Sequence, residues 1–296
     1  MSRRVDPILK ALATGYKTLK RQTAKDAKSA QVAELIANFS SSALDFLSSC
    51  QRVPLISKVP GKTYFSFAKA GKRPKLSRAV NVSLFDPSSA KHLNHLIDGT
   101  LNKIPVPERT RFLYTIAISY CCAADLLKSR DQKTPATFFE CLIGHLFARA
   151  FGINHRTQVE VLQLEEERAT LPTDFVYDLG PAKPKFHVPV KTSTRERVIQ
   201  VFAHQRVLDG VHGFGKFKGI MVCLAETKLD HNSREVVEIC VPKQWNLYYR
   251  FIAVMHRFYY FDVPQKYEAL ASGDPPMAVM PFAKFFDEVA DLAAGR

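Results

Sequence analysis

Between residues 158 and 225 the spacing of apolar side chains changes period twice, and this limits the folds open to the chain. Residues 158–164 (QVEVLQL), 173–178 and 185–191 read as strands. Residues 194–209 then run at helical spacing, with Val198, Val201, Phe202 and Leu208 on the buried face. Residues 218–225 (KGIMVCLA) return to a strand, and 235–241 (EVVEICV) make another. A helix inserted between core strands, after a run of helices, predicts an α/β sandwich with a mixed sheet.

The earlier helices are expected over 5–22, 26–38, 42–49, 87–103, 106–129 and 136–151, and later ones over 243–255 and 282–294. The first carries Val5, Ile8, Leu9, Leu12, Tyr16 and Leu19 on one face and Lys10, Lys17, Lys20 and Arg21 on the other. Residues 262–281 hold Pro264, Gly273, Pro275, Pro276 and Pro281 and read as loop. The division expected is an N-terminal helical region, 1–60, serving as subdomain or DNA clamp, and a catalytic domain, 61–296.

Charge narrows the partners. Lys and Arg number 42 against 28 Asp and Glu, a net +14, which favours a polyanion through phosphate neutralisation and counterion release. Six cysteines form no CxxC pair and several lie in apolar runs, so buried reduced thiols and a reducing cytoplasm are expected, without a zinc site. No apolar run approaches the roughly 20 residues of a membrane helix.

Asp174 and Asp178 share strand parity. Gly180, Pro181 and Pro184 then turn the chain, so 185–191 can return antiparallel and bring Lys191 near Asp174. A carboxylate and a lysine at the ends of neighbouring strands suit metal-dependent phosphodiester hydrolysis: the carboxylate holds a hard cation, the lysine serves the phosphate or the attacking water. Asp174 can equally be a turn residue after Pro172, and Asp178 beside the Gly-Pro turn reads as structural. Ser193-Thr194-Arg195-Glu196 fits a capping box, with Ser193 as N-cap. A capping box needs neither Arg195 nor Arg197, whereas a helix N-terminus in the major groove can use Arg195, Glu196 and Arg197 to read G·C pairs. Gln205 falls on the buried face of that helix, where it either satisfies a backbone group or holds a water in the site. Glu140, on the 136–151 helix, is either a metal-site group or an arginine partner. Tyr64, Phe65 and Phe67 precede a basic stretch with Lys72 and Arg73; base stacking and ordinary packing both suit them.

The run Lys191-Thr192-Ser193-Thr194-Arg195-Glu196-Arg197 resembles the K-[ST]-[ST]-x-[RK]-[ED]-R signature of PD-(D/E)xK nucleases, within the type II restriction endonucleases of the EcoRII, PspGI and NgoMIV group. Pro172-Thr173-Asp174 is similar to that group's metal-binding aspartate, and Phe138-Phe139-Glu140 to its helical glutamate; the likeness spans roughly 136–226. It implies a central mixed sheet flanked by helices, Mg²⁺ as cofactor, and cleavage of double-stranded DNA by a homodimer at a palindromic site with a CCNGG or CCGG core, in a prokaryotic cytoplasm. It implies Asp174, Lys191, Glu140 and Gln205 as catalytic residues, Asp174 and Glu140 as metal ligands, and Arg195, Glu196 and Arg197 as base readers. The tripeptide Pro189-Val190-Lys191 lacks the signature's acid, and the positions thirteen and fourteen past Lys191, where relatives place it, are His204 and Gln205. The contiguous Arg-Glu-Arg resembles relatives that flip the central nucleotides of CCNGG, for which Tyr64, Phe65 and Phe67 are the expected pocket wall. Two other readings keep the same scaffold: a repair or recombination nuclease that reads DNA shape, and a DNA-binding protein without catalysis.

Overall fold

The computed structural model describes residues 7–69, 75–128, 131, 133–163 and 168–295. The chain forms two compact units, Met1–Leu146 with Thr227–Val237, and Phe147–Glu226 with Glu238–Arg296. The division falls inside a helix.

In chain order the elements are α1 (Pro7–Asp26), α2 (Ala30–Ser48), β1 (Gln51–Pro54), β2 (Ile56–Ser57), β3 (Tyr64–Ala68), β4 (Val80–Asn81), α3 (Leu93–Asp98), α4 (Val106–Leu127) and α5 (Lys133–Phe151). There follow β5 (Arg156–Gln163), β6 (Arg168–Asp178), β7 (Lys185–Val188), β8 (Val190–Lys191), α6 (Val198–His212), β9 (Phe217–Cys223), β10 (Thr227–Leu229) and β11 (Glu235–Glu238). The chain closes with α7 (Pro242–Phe251), β12 (Arg257–Tyr260), α8 (Gln265–Glu268), β13 (Val279–Pro281) and α9 (Phe285–Ala293). No helix among the described residues is long and apolar enough to cross a membrane.

The first unit is helical with two small sheets, ordered β1-β3-β4 and β10-β11-β2. Its α2 is one helix where two were expected. Ser29 caps it by accepting from Val32 N, and Ser40 and Ser42 bond back to the Ile36 and Asn38 carbonyls. The serine run is thereby satisfied within the helix and does not break it. Gly15 of α1 lies so close to α2 that a Cβ there would sit 2.2 Å from the Phe39 ring, which excludes any side chain. Arg78 donates to both Asp125 oxygens, at 2.8 and 3.0 Å, and ties the β4 entrance to α4.

The second unit is built on a mixed sheet, ordered β13-β12-β9-β7-β6-β5, with β8 also paired to β9. β6 pairs antiparallel with both β5 and β7; β7, β8 and β12 run parallel to β9. Alternation sorts the side chains. Met221, Cys223, Phe258 and Tyr260 meet Val198, Val201 and Phe202 of α6 and Trp245 of α7. The opposite face puts Tyr177 and Tyr259 against Phe147, Phe282 and Phe285. Helices thus cover both faces of a mixed sheet, the architecture the sequence predicts. β12 (RFYY) was not expected: buried on both faces, it lacks the alternation that marks a half-exposed strand.

Candidate active site

Asp174 shares parity with Val176, which packs with Leu208 of α6 and Phe217 of β9, so Asp174 stands on the α6 face of the sheet. The β6–β7 ladder runs from Asp178↔Lys185 to Phe175↔Val188 and ends at Pro189, which has no N–H to continue it. The chain then shifts to β9, pairing Val190↔Val222 and Lys191↔Cys223. Asp174 spans this break: its Oδ2 accepts from Val190 N at 2.7 Å and from Lys191 Nζ at 2.8 Å. The pair is half-buried, with 16% of the lysine side chain and 23% of the aspartate exposed. Among the described residues no donor falls on Oδ1, which leaves a carboxylate oxygen for a further ligand. Asp178 is structural, as expected: it pairs with Lys185 at 2.9 Å and accepts from Gly180 N, and these donors lower its pKa.

A cleft of about 240 Å³ opens over this pair, lined by Pro172, Thr173, Asp174, Pro189, Lys191, Gln200, Val201 and His204. His204 projects from α6 into it. Burial lowers its pKa, and Lys191 lowers it further. Behind it, His187 is fully buried and burial holds its pKa down at about 4. Its Nδ1 lies 3.3 Å from Gln205 Oε1, and its Nε2 has no partner among the described residues.

Gln205 does not line the cleft. It is 1% exposed, and its amide donates to Asp209 Oδ1 at 3.0 Å and to the Phe217 carbonyl at 2.8 Å. Gly219 makes room for it: a Cβ there would come 2.7 Å from Gln205 Oε1 and 2.5 Å from Met255 Sδ. Of the two positions past Lys191, the structure turns His204 to the cleft and Gln205 to the core. Glu140 lies half-buried on α5, outside the cleft lining and in the first compact unit. Among the described residues no cluster of three or more His, Cys, Asp and Glu is placed to hold a metal.

The expected capping box does not form. Residues Arg195–Arg197 make a 3-10 turn and α6 begins at Val198; neither start has a side-chain cap. Thr194 faces the core instead, where its N and Oγ1 donate to Glu226. Arg195 and Arg197 are exposed, and Arg197 donates to the Ser193 carbonyl at 3.1 Å. The Glu196 side chain lies outside the described residues, as do Lys72 and Arg73.

The aromatic trio is core. Tyr64, Phe65 and Phe67 are 3%, 7% and 2% exposed on β3. Phe65, Phe67 and Phe85 meet edge to face at 5.1–5.6 Å, with the Arg52 guanidinium over all three rings. Phe67 lines a cavity with Arg52, Phe85 and Leu47. Glu226 was not singled out from the sequence, although an acid closing the apolar run KGIMVCLA is the signal that marks it.

The fold is similar to that of the type IIP restriction endonuclease Kpn2I. The two align with a TM-score of 0.79 over 96% of this chain and 98% of Kpn2I, at 22% identity. A restriction endonuclease PspGI–substrate DNA complex aligns over 71% of the chain with a TM-score of 0.44 and 14% identity. No protein-family model matches the chain, and no curated protein matches it. The Kpn2I alignment spans nearly the whole of both chains, so the helical first unit and the sheet-based second unit both belong to the shared fold.

Proposed function

We propose that this protein is a sequence-specific DNA endonuclease of the type II restriction class, cutting double-stranded DNA at a palindromic site with a CCNGG or CCGG core as a homodimer. The observation that carries this reading is the Asp174–Lys191 pair at the mouth of the cleft, with exposed Arg195 and Arg197 only a few residues further on. The Kpn2I-like fold supports it.

Asp174 supplies a hard oxygen ligand of the kind a divalent cation such as Mg²⁺ takes. Among the described residues no donor reaches Asp174 Oδ1, and Glu140 is the second carboxylate that the family resemblance implies. Such a cation, when bound, lowers the pKa of a water and offsets charge on the phosphate. Lys191 Nζ, held by Asp174, is aimed to donate to a phosphate oxygen or to the attacking water. His204, whose pKa is lowered by burial and by Lys191, lines the cleft where it can accept a hydrogen bond from that water. In-line attack would leave 5′-phosphate and 3′-hydroxyl ends. Arg195 and Arg197 can each donate twice to guanine O6 and N7, and Glu196 is the proposed acceptor for cytosine N4.

One observation favours a second reading. The acid is absent from Pro189-Val190-Lys191, and Gln205 is sealed in the core, so the same surface also suits a DNA-binding protein without catalysis. Digestion of a plasmid with Mg²⁺ and mapping of the ends separates the readings. Fixed fragments with a shared end sequence are expected. Unmapped nicking would point to a shape-reading repair nuclease, and site-specific binding without cleavage to the inactive protein.

A further inference from the structure

Glu226 is 1% exposed, and among the described residues no cation faces it; donors alone hold its carboxylate. Both oxygens lie 3.0 Å from Thr194 N. Oε1 also accepts from Thr194 Oγ1 at 2.5 Å, from Tyr260 Oη at 3.2 Å and from Cys223 Sγ at 3.6 Å. The Arg195 N–H also lowers this carboxyl's pKa. Burial raises this carboxyl's pKa and the donors pull the other way.

The position of the clamp is what matters. The β9 ladder continues past its strand through Leu224 N to the Lys191 carbonyl at 3.0 Å and Ala225 N to the Thr192 carbonyl at 3.3 Å. Glu226 is the next residue, and it takes hold where the ladder stops. Directly beyond, Arg195 adopts φ of +46°, a left-handed backbone that an arginine avoids unless its surroundings impose it. Arg197 N then bonds the Thr194 carbonyl at 2.9 Å and starts the turn. A buried carboxylate without a counter-cation is costly, and closing a strand does not require one. What this one does is fix the backbone from which two exposed arginines leave the surface.

We propose that Glu226 is the positioning residue for base recognition: by clamping Thr194 and Arg195 it sets the direction of Arg195 and Arg197, and hence the discrimination between sequences. This rests on the reading of that segment as the DNA-recognition segment.

The test compares the full-length parent with Glu226→Gln, Thr194→Val and Thr194→Ser. Competition binding uses a duplex carrying the site mapped from the parent's digest and a scrambled duplex of equal length; thermal melts check folding. Glutamine cannot accept at both oxygens, and valine removes the hydroxyl while keeping the shape. Both should lose fivefold or more in the specific-to-scrambled ratio, with affinity for the scrambled duplex within twofold of the parent. Thr194→Ser keeps the hydroxyl and should stay within fivefold of the parental ratio. A folded Glu226→Gln that loses less than fivefold, or that weakens on both duplexes alike, overturns the proposal. Should Glu226→Gln fail to fold, the Thr194 pair decides, and equal ratios for valine and serine overturn it. A parent that does not discriminate at all would instead remove the endonuclease reading on which the inference rests.

Discussion

Asp174 receives Val190 N and Lys191 Nζ on one oxygen, so its removal acts twice, on the β7–β8 break and on the lysine's aim. Lys191→Ala leaves the backbone contact intact. It should lower cleavage by roughly 100-fold or more while specific binding persists, as for loss of one donor at a reaction centre. Cleavage within tenfold of the parent, by single-turnover digestion, would take Lys191 out of the mechanism. Asp174→Ala should abolish cleavage without rescue by excess Mg²⁺. Gln205→Glu tests the packing behind the cleft. The new carboxylate would face Asp209 and the Phe217 carbonyl, acceptor against acceptor, with both donated bonds gone. A loss of about 3–5 kcal/mol in denaturant unfolding is expected, and parental stability would show the core tolerates the charge. The buried histidines give a pH dependence of definite sign. His187 and His155 have pKa values lowered from 6.5 to about 4, by burial above all. Unfolding lets each take up a proton below about pH 6.5, so stability is fully present above that pH and falls as pH drops towards 4. For His187 the full loss is on the order of 3 kcal/mol. Melts at pH 7 and 4.5 should show it, and His155→Phe, which substitutes a ring into the Phe175 and Tyr177 cluster, should shrink the difference. The contact of Asp174 with Lys191 was legible in the sequence because their neighbourhood is local, one hairpin. The fate of Gln205 was not, because it depends on Gly219 of a later strand.

At the scale of elements, the hairpin β6–β7 and the helix after it follow directly from period and turn chemistry. The boundaries do not. Residues 185–191 read as one strand, but Pro189 lacks the N–H a ladder needs, and the last two residues move to β9. The Ser193 cap was a local expectation defeated by a distant acid, since Thr194 turns inward to Glu226 before any cap can form. The aromatic run of β3 shows the same limit: Tyr64, Phe65 and Phe67 beside basic residues suit stacking, yet the sheet with β1 and β4 buries all three. The segment proposed to read bases starts as a 3-10 turn with two exposed arginines, and on that proposal replacing either with alanine should cost about 1–3 kcal/mol of discrimination at one G·C pair. An equal loss on specific and random duplexes would mark that arginine as a phosphate contact only.

For the whole molecule, a net charge of +14 and the α/β order were plain from the sequence, whereas the division into two units was not. No linker composition marks it. The boundary lies within α5, and the 227–237 segment joins the first unit through pairing of β11 with β2, some 180 positions earlier in the chain, and through packing of Val236 and Leu229 with Val59 and Tyr64. Charge makes a prediction that needs neither boundary. Each phosphate neutralised on duplex DNA releases counterions, so log K for binding falls with log salt at a slope of about −0.9 per contact. A surplus of 42 basic over 28 acidic residues is enough for six such contacts or more. Affinity for a random duplex should then fall by roughly 1,000-fold between about 50 and 200 mM salt. Arg195→Ala and Arg197→Ala bear on specificity rather than on this background, so they should leave the random-duplex slope within one contact of the parent. Titrations at four salt concentrations measure the slope directly. A shallow line, equivalent to one or two contacts, would mean that the positive charge is dispersed over a solvated surface and does not form a DNA-binding face.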